Sequence, residues 1–328
     1  MVVNELKTQM MVINGTSVDR YDFTVSGVVV KDTKSYIYLG SPFTENGKLS
    51  DVIKLHVKSR SKDLNKFKIF CMKNETMPFL FKKTVLEATI TSSLLYGSET
   101  WLTNNLKDVE KLYIGAVKSV LGVRETTRSD AVLIEAGMPS LKELTRKRTL
   151  AFMRKELLED RAADTPLIRI YKICEAKRTG GFRFLNNVLN PTMQNNISEI
   201  EKFKNLTTSK VTTYKKLNPE LSVHEVYTTR DYIDERERLI FTRFRLSSHH
   251  LKIETGRWAR IAAENRECGC GGGLQDEEHV LFDCRKTEEV RRMFGIDGEE
   301  LRDVGVLMNT VDVKKLVSFV YNCMKFFK

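Results

Sequence analysis

With 328 residues, 41% of them apolar, the chain is long enough for a buried core and, by length, for about two domains. Lysine and arginine number 54 against 43 aspartates and glutamates, a formal surplus of +11 that points toward a polyanionic partner. No apolar run nears the ~20 residues of a membrane-spanning helix, and Met1-Val2-Val3-Asn4-Glu5-Leu6-Lys7 has neither the basic nor the apolar segment of a secretory signal, so we expect an intracellular protein, nuclear or cytoplasmic, with its six cysteines reduced.

The first fifty residues read as short strands: Gln9 to Asn14, two β-rich runs within Asp22 to Val30 split by Ser26-Gly27, and Tyr36-Ile37-Tyr38-Leu39, stopped by Gly40 and Pro42. That is too little sheet to stand alone. From Ser50 the period becomes helical. Asp51 to Lys73 places Ile53, Val57, Leu64, Phe67 and Cys71 on one side, Phe79 to Tyr96 forms a second helix closed by Gly97, and Leu106 to Leu121 a third closed by Gly122. A capping box, Ser140-Leu141-Lys142-Glu143, opens a fourth; Thr165-Pro166 opens a fifth that Thr179-Gly180-Gly181 ends. Residues 190 to 222 are polar and read as a linker region with some helix. An Arg-rich helix (Arg236, Arg238, Arg243, Arg245), a glycine- and cysteine-rich knuckle and an amphipathic helix, Val313 to Phe327, complete the chain.

The sharpest motif is Cys268-Gly-Cys270 followed, after eight residues, by His279-x4-Cys284. Three thiolates and one imidazole make a complete tetrahedral shell for Zn2+, and four protein ligands leave no open position, which makes the site structural. The alternative is a glycine-rich loop with unliganded thiols. His249 or His250 in place of a cysteine is the weaker ligand choice. No His-Glu-x-x-His and no deaminase-type His-x-Glu pattern accompanies the cluster.

Two basic features stand out. Lys54, Lys58, Lys62 and Lys66 recur every fourth residue; like charges at that spacing disfavour a lone helix by a few tenths of a kcal/mol per pair, which invites a phosphate partner or marks a solvated face. Arg243-Phe244-Arg245 and Gly256-Arg257-Trp258 interleave arginine with aromatics. They suit phosphate contact with base stacking, or equally an ordinary helix end with His249 and His250 at its negative pole. No two aspartates are adjacent, and no phosphate-binding glycine loop is present, so two-metal chemistry and bound Mg2+ are not expected.

Four segments resemble, in order, the carboxy-terminal part of LINE-type (non-LTR) retrotransposon reverse transcriptases. Asn4-Glu5-Leu6-Lys7-Thr8 is similar to the Asn-x-x-Lys-Thr element that follows the catalytic aspartate hairpin. Tyr38-Leu39-Gly40-Ser41 resembles the primer grip, Leu95-Tyr96-Gly97-Ser98-Glu99-Thr100-Trp101 the thumb segment, and Cys268 to Cys284 the zinc-binding carboxy-terminal module. The resemblance implies a mainly α fold: a β remnant of a polymerase palm over 1–49, a helical thumb bundle over 50–130, a helical connector over 131–190, a polar linker over 191–225, and a basic helix with the zinc module over 226–328. Lys7 would stand near the incoming nucleotide, where a lysine can protonate pyrophosphate. The family's aspartate pair would lie ahead of Asn4. The resemblance therefore implies a reverse-transcriptase fragment, lacking those aspartates, that binds an RNA–DNA hybrid or duplex through Tyr38, Leu39, Gly40, Lys54, Lys58, Lys62, Lys66, Arg243, Arg245 and Arg257 without polymerising it. The other reading is a host-recruited zinc-containing regulator that binds nucleic acid or protein.

Overall fold

Apolar residues recurring at helical spacing become helices through most of the chain: the computed structural model is 62% helix and 6% strand. It describes residues 4, 8–19, 21–25, 27–155, 165–189, 199–229 and 231–327. Among them no helix is long and apolar enough to cross a membrane. Contacts group the chain into two units, each assembled from three separated segments: Met1–Asn65, Thr89–Tyr113 and Leu141–Thr192 in one, and Lys66–Ala88, Ile114–Ser140 and Met193–Lys328 in the other.

The first unit begins with three two-stranded sheets. Gln9–Met10 pairs with Lys31–Asp32 in parallel; Thr24–Val25 and Ser35–Tyr38 pair antiparallel with Val28–Val29 and Ser41–Thr44. The last is a tight hairpin whose two turn residues, Leu39 (φ 48°) and Gly40 (φ 84°), both take the left-handed conformation that a two-residue turn of matching twist requires. Its tip rests on the helical part of the unit: the Tyr96 hydroxyl donates to the Leu39 carbonyl at 3.0 Å, and a Cβ at Gly40 would stand 3.4 Å from the Tyr96 ring. Behind it, Leu64, Ile90, Leu94, Leu95, Trp101, Val109 and Leu141 form the core. His56 is buried there, its Nε2 2.9 Å from the Leu94 carbonyl and its ring edge-on to Trp101. Arg148 ties the unit's Leu141–Met153 helix to the Leu95 carbonyl at 2.9 Å.

The Phe79 helix, expected to reach Tyr96, runs to Leu94, with a π-turn over Leu86–Thr91. One expectation changes. Thr179-Gly180-Gly181 does not end a helix: Pro166–Ala176 stops earlier, and Gly180–Leu189 begins a new one, with the Thr179 hydroxyl accepting from the Phe182 amide. The polar stretch expected to hold some helix has helices at Glu199–Lys204 and Ser209–Leu217, and Phe203, Val211, Tyr214 and Leu217 from them are buried in the second unit.

The second unit centres on the Glu235–Arg245 and Val313–Met324 helices, packed against each other. Phe241, Phe244, Leu316, Val317, Phe319 and Val320 are fully buried between them and their neighbours. Through this apolar core runs a polar network. Arg245 grips Glu135 with two guanidinium nitrogens at 2.7 and 3.1 Å and donates to the Leu217 carbonyl at 2.6 Å. Tyr214 and Tyr227 donate to the same carboxylate, at 2.8 and 3.1 Å.

Candidate metal centre and basic surfaces

The knuckle is built almost entirely from turns. A single antiparallel bridge, Glu267 to Leu274, closes the Cys268–Gly273 loop, where the Cys268 amide donates to the Gly273 carbonyl at 2.6 Å. Gly273 sits at φ 113°, a conformation side-chain-bearing residues rarely adopt, and a Cβ on Gly272 would lie 3.2 Å from the His279 ring and 3.3 Å from Cys270 Sγ. The loop therefore needs glycine both to turn and to clear the ligands. Asp276 then accepts from the His279 amide at 2.9 Å, opening a five-residue π-turn, His279–Asp283, that closes on a Cys284 amide to His279 carbonyl bond of 2.8 Å. This wide turn presents both His279 and Cys284.

One ligand atom from each of Cys268, Cys270, His279 and Cys284 lies within 4.8 Å of all the others, and these groups can hold a metal ion. Cys268 and Cys284 sulfurs are 3.8 Å apart; Cys270 Sγ stands 3.2 Å from His279 Nε2. A Cys3His tetrahedron around zinc has three sulfur–sulfur edges of about 3.8 Å and three sulfur–nitrogen edges of about 3.5 Å, so these two separations are close to those of a bound ion, and the sulfurs stand far too far apart for a disulfide. Cys268, His279 and Cys284 are buried and Cys270 is partly open. Burial opposes ionisation of Cys270, yet the Gly272 amide together with Cys268, His279 and Cys284 outweighs it and brings this thiol down to about 6. At Cys284 burial prevails and pushes the thiol up to about 12. A cation among these sulfurs removes that conflict, since a coordinating thiol is deprotonated outright. Gln275 Nε2 approaches Cys268 Sγ at 3.5 Å, and Glu277, one residue on from Asp276, accepts from Ser247 at 3.2 Å and lies 2.8 Å from His249 Nε2. These contacts fasten the knuckle to the end of the Arg-rich helix, and they place His249 on Glu277 rather than in the ligand shell.

The lysine row is laid out as its spacing predicts. Lys54, Lys58, Lys62 and Lys66 are all exposed on the Leu49–Lys73 helix, while Ile53, Leu64, Phe67 and Cys71 are buried. Lys54 makes an exposed ion pair with Asp51 at 3.3 Å; among the described residues none of the other three pairs with a carboxylate. Tyr38 and Leu39 are 59% and 74% exposed at the hairpin tip, so these apolar side chains face solvent. Thr8 donates to the Asn4 carbonyl at 2.8 Å; Lys7 lies outside the described residues.

The arginines divide. Arg245, expected to contact nucleic acid, is only 1% exposed and committed to Glu135, so that role is corrected: it is a core residue. Arg243 is partly buried, its Nε donating to the Gly122 carbonyl at 2.8 Å. Arg257 keeps a quarter of its side chain open while pairing with the buried Glu254 at 2.5 Å and donating to Ser209. Sequence reasoning missed Arg124, which lies over the ring of Trp258 with 3.9 Å from guanidinium carbon to ring centroid. Nothing near either residue in the chain signals that 134-residue jump. Comparison with known protein families, with curated proteins and with solved structures gives no match.

Proposed function

We propose that the chain binds nucleic acid without transforming it, that it is related to the thumb and carboxy-terminal zinc module of LINE-type reverse transcriptases, and that one structural Zn2+ sits on Cys268, Cys270, His279 and Cys284. The observation that carries the binding reading is the lysine row. Four ammonium groups stand exposed over about 18 Å of one helix, a length that matches several phosphates along a duplex. Solvation alone gives no reason to align like charges at a spacing that disfavours the helix. The ancestry is supported by a neighbourhood: the Tyr38-Leu39-Gly40 tip stands against Tyr96, so two of the four resembling segments meet. A closed four-ligand set supports a folding role for zinc over a catalytic one.

Contacts of this kind position a duplex without reading its sequence, and they set the salt dependence of binding. Changing all four lysines to glutamine is expected to weaken binding about equally for unrelated duplexes. The slope of log K against log salt should fall by roughly 2 to 4, about one per lost phosphate contact. Fluorescence anisotropy across a salt series measures both. A quadruple variant with unchanged affinity and slope would show the row to be a solvated face.

A further inference from the structure

Trp258 closes the Lys252–Trp258 helix and is 48% exposed, against 5% for Trp101, the other tryptophan of the chain. One face of its indole is already covered, because the Arg124 guanidinium lies over it at 3.9 Å. A ring blocked on one face can stay half exposed only if the other face is open. Arg124 does not lie there loosely. Its Nη2 donates to the carbonyls of Ser247 and His249 at 3.1 and 3.0 Å, and its amide donates to the Ser248 hydroxyl at 3.0 Å. His250 meets the indole edge-on, with ring centroids 6.4 Å apart. The indole is therefore held rigidly with its free face outward, an arrangement that burial does not require.

The stretch around Trp258 holds four cations, Lys252, Arg257, Arg260 and Arg266, against the exposed Glu264 and Glu267 and the buried Glu254. Lys252 and Arg260 are exposed and among the described residues neither pairs with a carboxylate. Arg257 and Arg266 add charge beside them, while the nearby Glu254 is buried and neutralised by Lys210 and Arg257. We propose that Trp258, backed by Arg124, is a stacking platform for an unpaired base of single-stranded nucleic acid, with Lys252 and Arg260 taking the flanking phosphates. An open aromatic face beside phosphate-binding cations is what a single strand recognises; a duplex hides its base faces, and the carboxylate side chains of an acidic peptide have no flat ring to stack. The proposal rests on the nucleic-acid reading above and names a second kind of strand for a second place on the surface.

The test uses the full chain and its own fluorescence. Because Trp101 is buried, stacking on Trp258 should quench emission when a short oligouridylate or oligothymidylate is added, and a blunt duplex of equal length should quench far less. Trp258→Leu should abolish the quench and weaken single-strand binding, read by anisotropy of a labelled oligonucleotide, by roughly 5- to 150-fold. Trp258→Phe should recover much of that loss, since phenylalanine still stacks. Remaining Trp101 emission reports that the variants are folded. Unchanged single-strand affinity in Trp258→Leu overturns the platform, as does a Trp258→Phe variant as weak as the leucine one. Binding of duplex but of no single strand overturns it too, and leaves the lysine-row reading intact. Failure of both strands to bind at low salt removes that reading and the platform with it.

Discussion

Arg245 and Cys268 show what a single residue discloses in sequence. A cluster of thiols and an imidazole at ligand spacing has few other uses, so all four metal-capable residues were legible. An arginine discloses its charge but not its depth. Arg238, Phe241, Thr242 and Arg245 share one face of their helix and are all buried, so two cations occupy positions that the helical period assigns to the core. Arg238 pairs with Glu235 on its own helix, but the partner of Arg245 was illegible because Glu135 lies 110 residues away. The energetic consequence is specific. Removing one member of a buried pair leaves the other charge unsolvated and costs about 3–5 kcal/mol, whereas replacing both by apolar groups is far milder. Arg245→Met is therefore expected to lower stability by about that amount, and Glu135→Leu with Arg245→Met to recover part of it, the rest being withheld by the Tyr214 hydroxyl, which loses its acceptor, and by the Leu217 carbonyl, which loses its Arg245 donor. Urea unfolding midpoints of the two variants decide this; equal destabilisation would mean that the pair is not what holds this core.

Among the elements, the long amphipathic helices were readable and the short ones were not. Leu49–Lys73 and Lys107–Leu121 carry apolar stripes long enough to show their period. Ser129–Ala136 spans only eight residues and buries Ala131, Val132, Glu135 and Ala136, so no polar face marks it. Ser209–Leu217 hides three buried residues, Val211, Tyr214 and Leu217, in a sequence otherwise lysine- and threonine-rich. The knuckle differs in kind: one bridge, a glycine loop and a π-turn supply few hydrogen bonds of their own. Val280, Leu281 and Phe282 anchor the π-turn by burial, whereas the glycine loop depends on ligation for its order, and metal removal should loosen the knuckle before the helices. A strong chelator is expected to speed hydrogen exchange at the amides of Cys268, Gly271, Gln275 and Cys284, which are bonded within the knuckle. Protection in Leu49–Lys73 and Lys107–Leu121 should persist. Uniform loss across the chain, or no change anywhere, would contradict a local structural metal.

For the molecule as a whole, composition foretold a basic helical protein, but sequence order gave no sign that each compact unit gathers three separated segments. Helices that begin with one set of partners and finish with another have no mark at the changeover, because their apolar stripe continues without a break. Two-metal phosphoryl transfer needs carboxylates converging on ions ~4 Å apart, and the sequence contains no adjacent aspartates. This chain is accordingly expected to give no primer extension on any template with Mg2+ or Mn2+, and template-dependent incorporation that survives repurification would disprove it. The closed knuckle also alters how the molecule's charge is kept. The formal +11 counts every thiol as neutral; three thiolates with one divalent ion together carry minus one, so loading lowers the total only to +10. The ion thus acts as an internal counter-charge and adds no pull on phosphate. Seating it must also expel the proton that burial keeps on Cys284, so acid and metal compete for the same sulfur, and occupancy is set by pH as much as by supply of the ion.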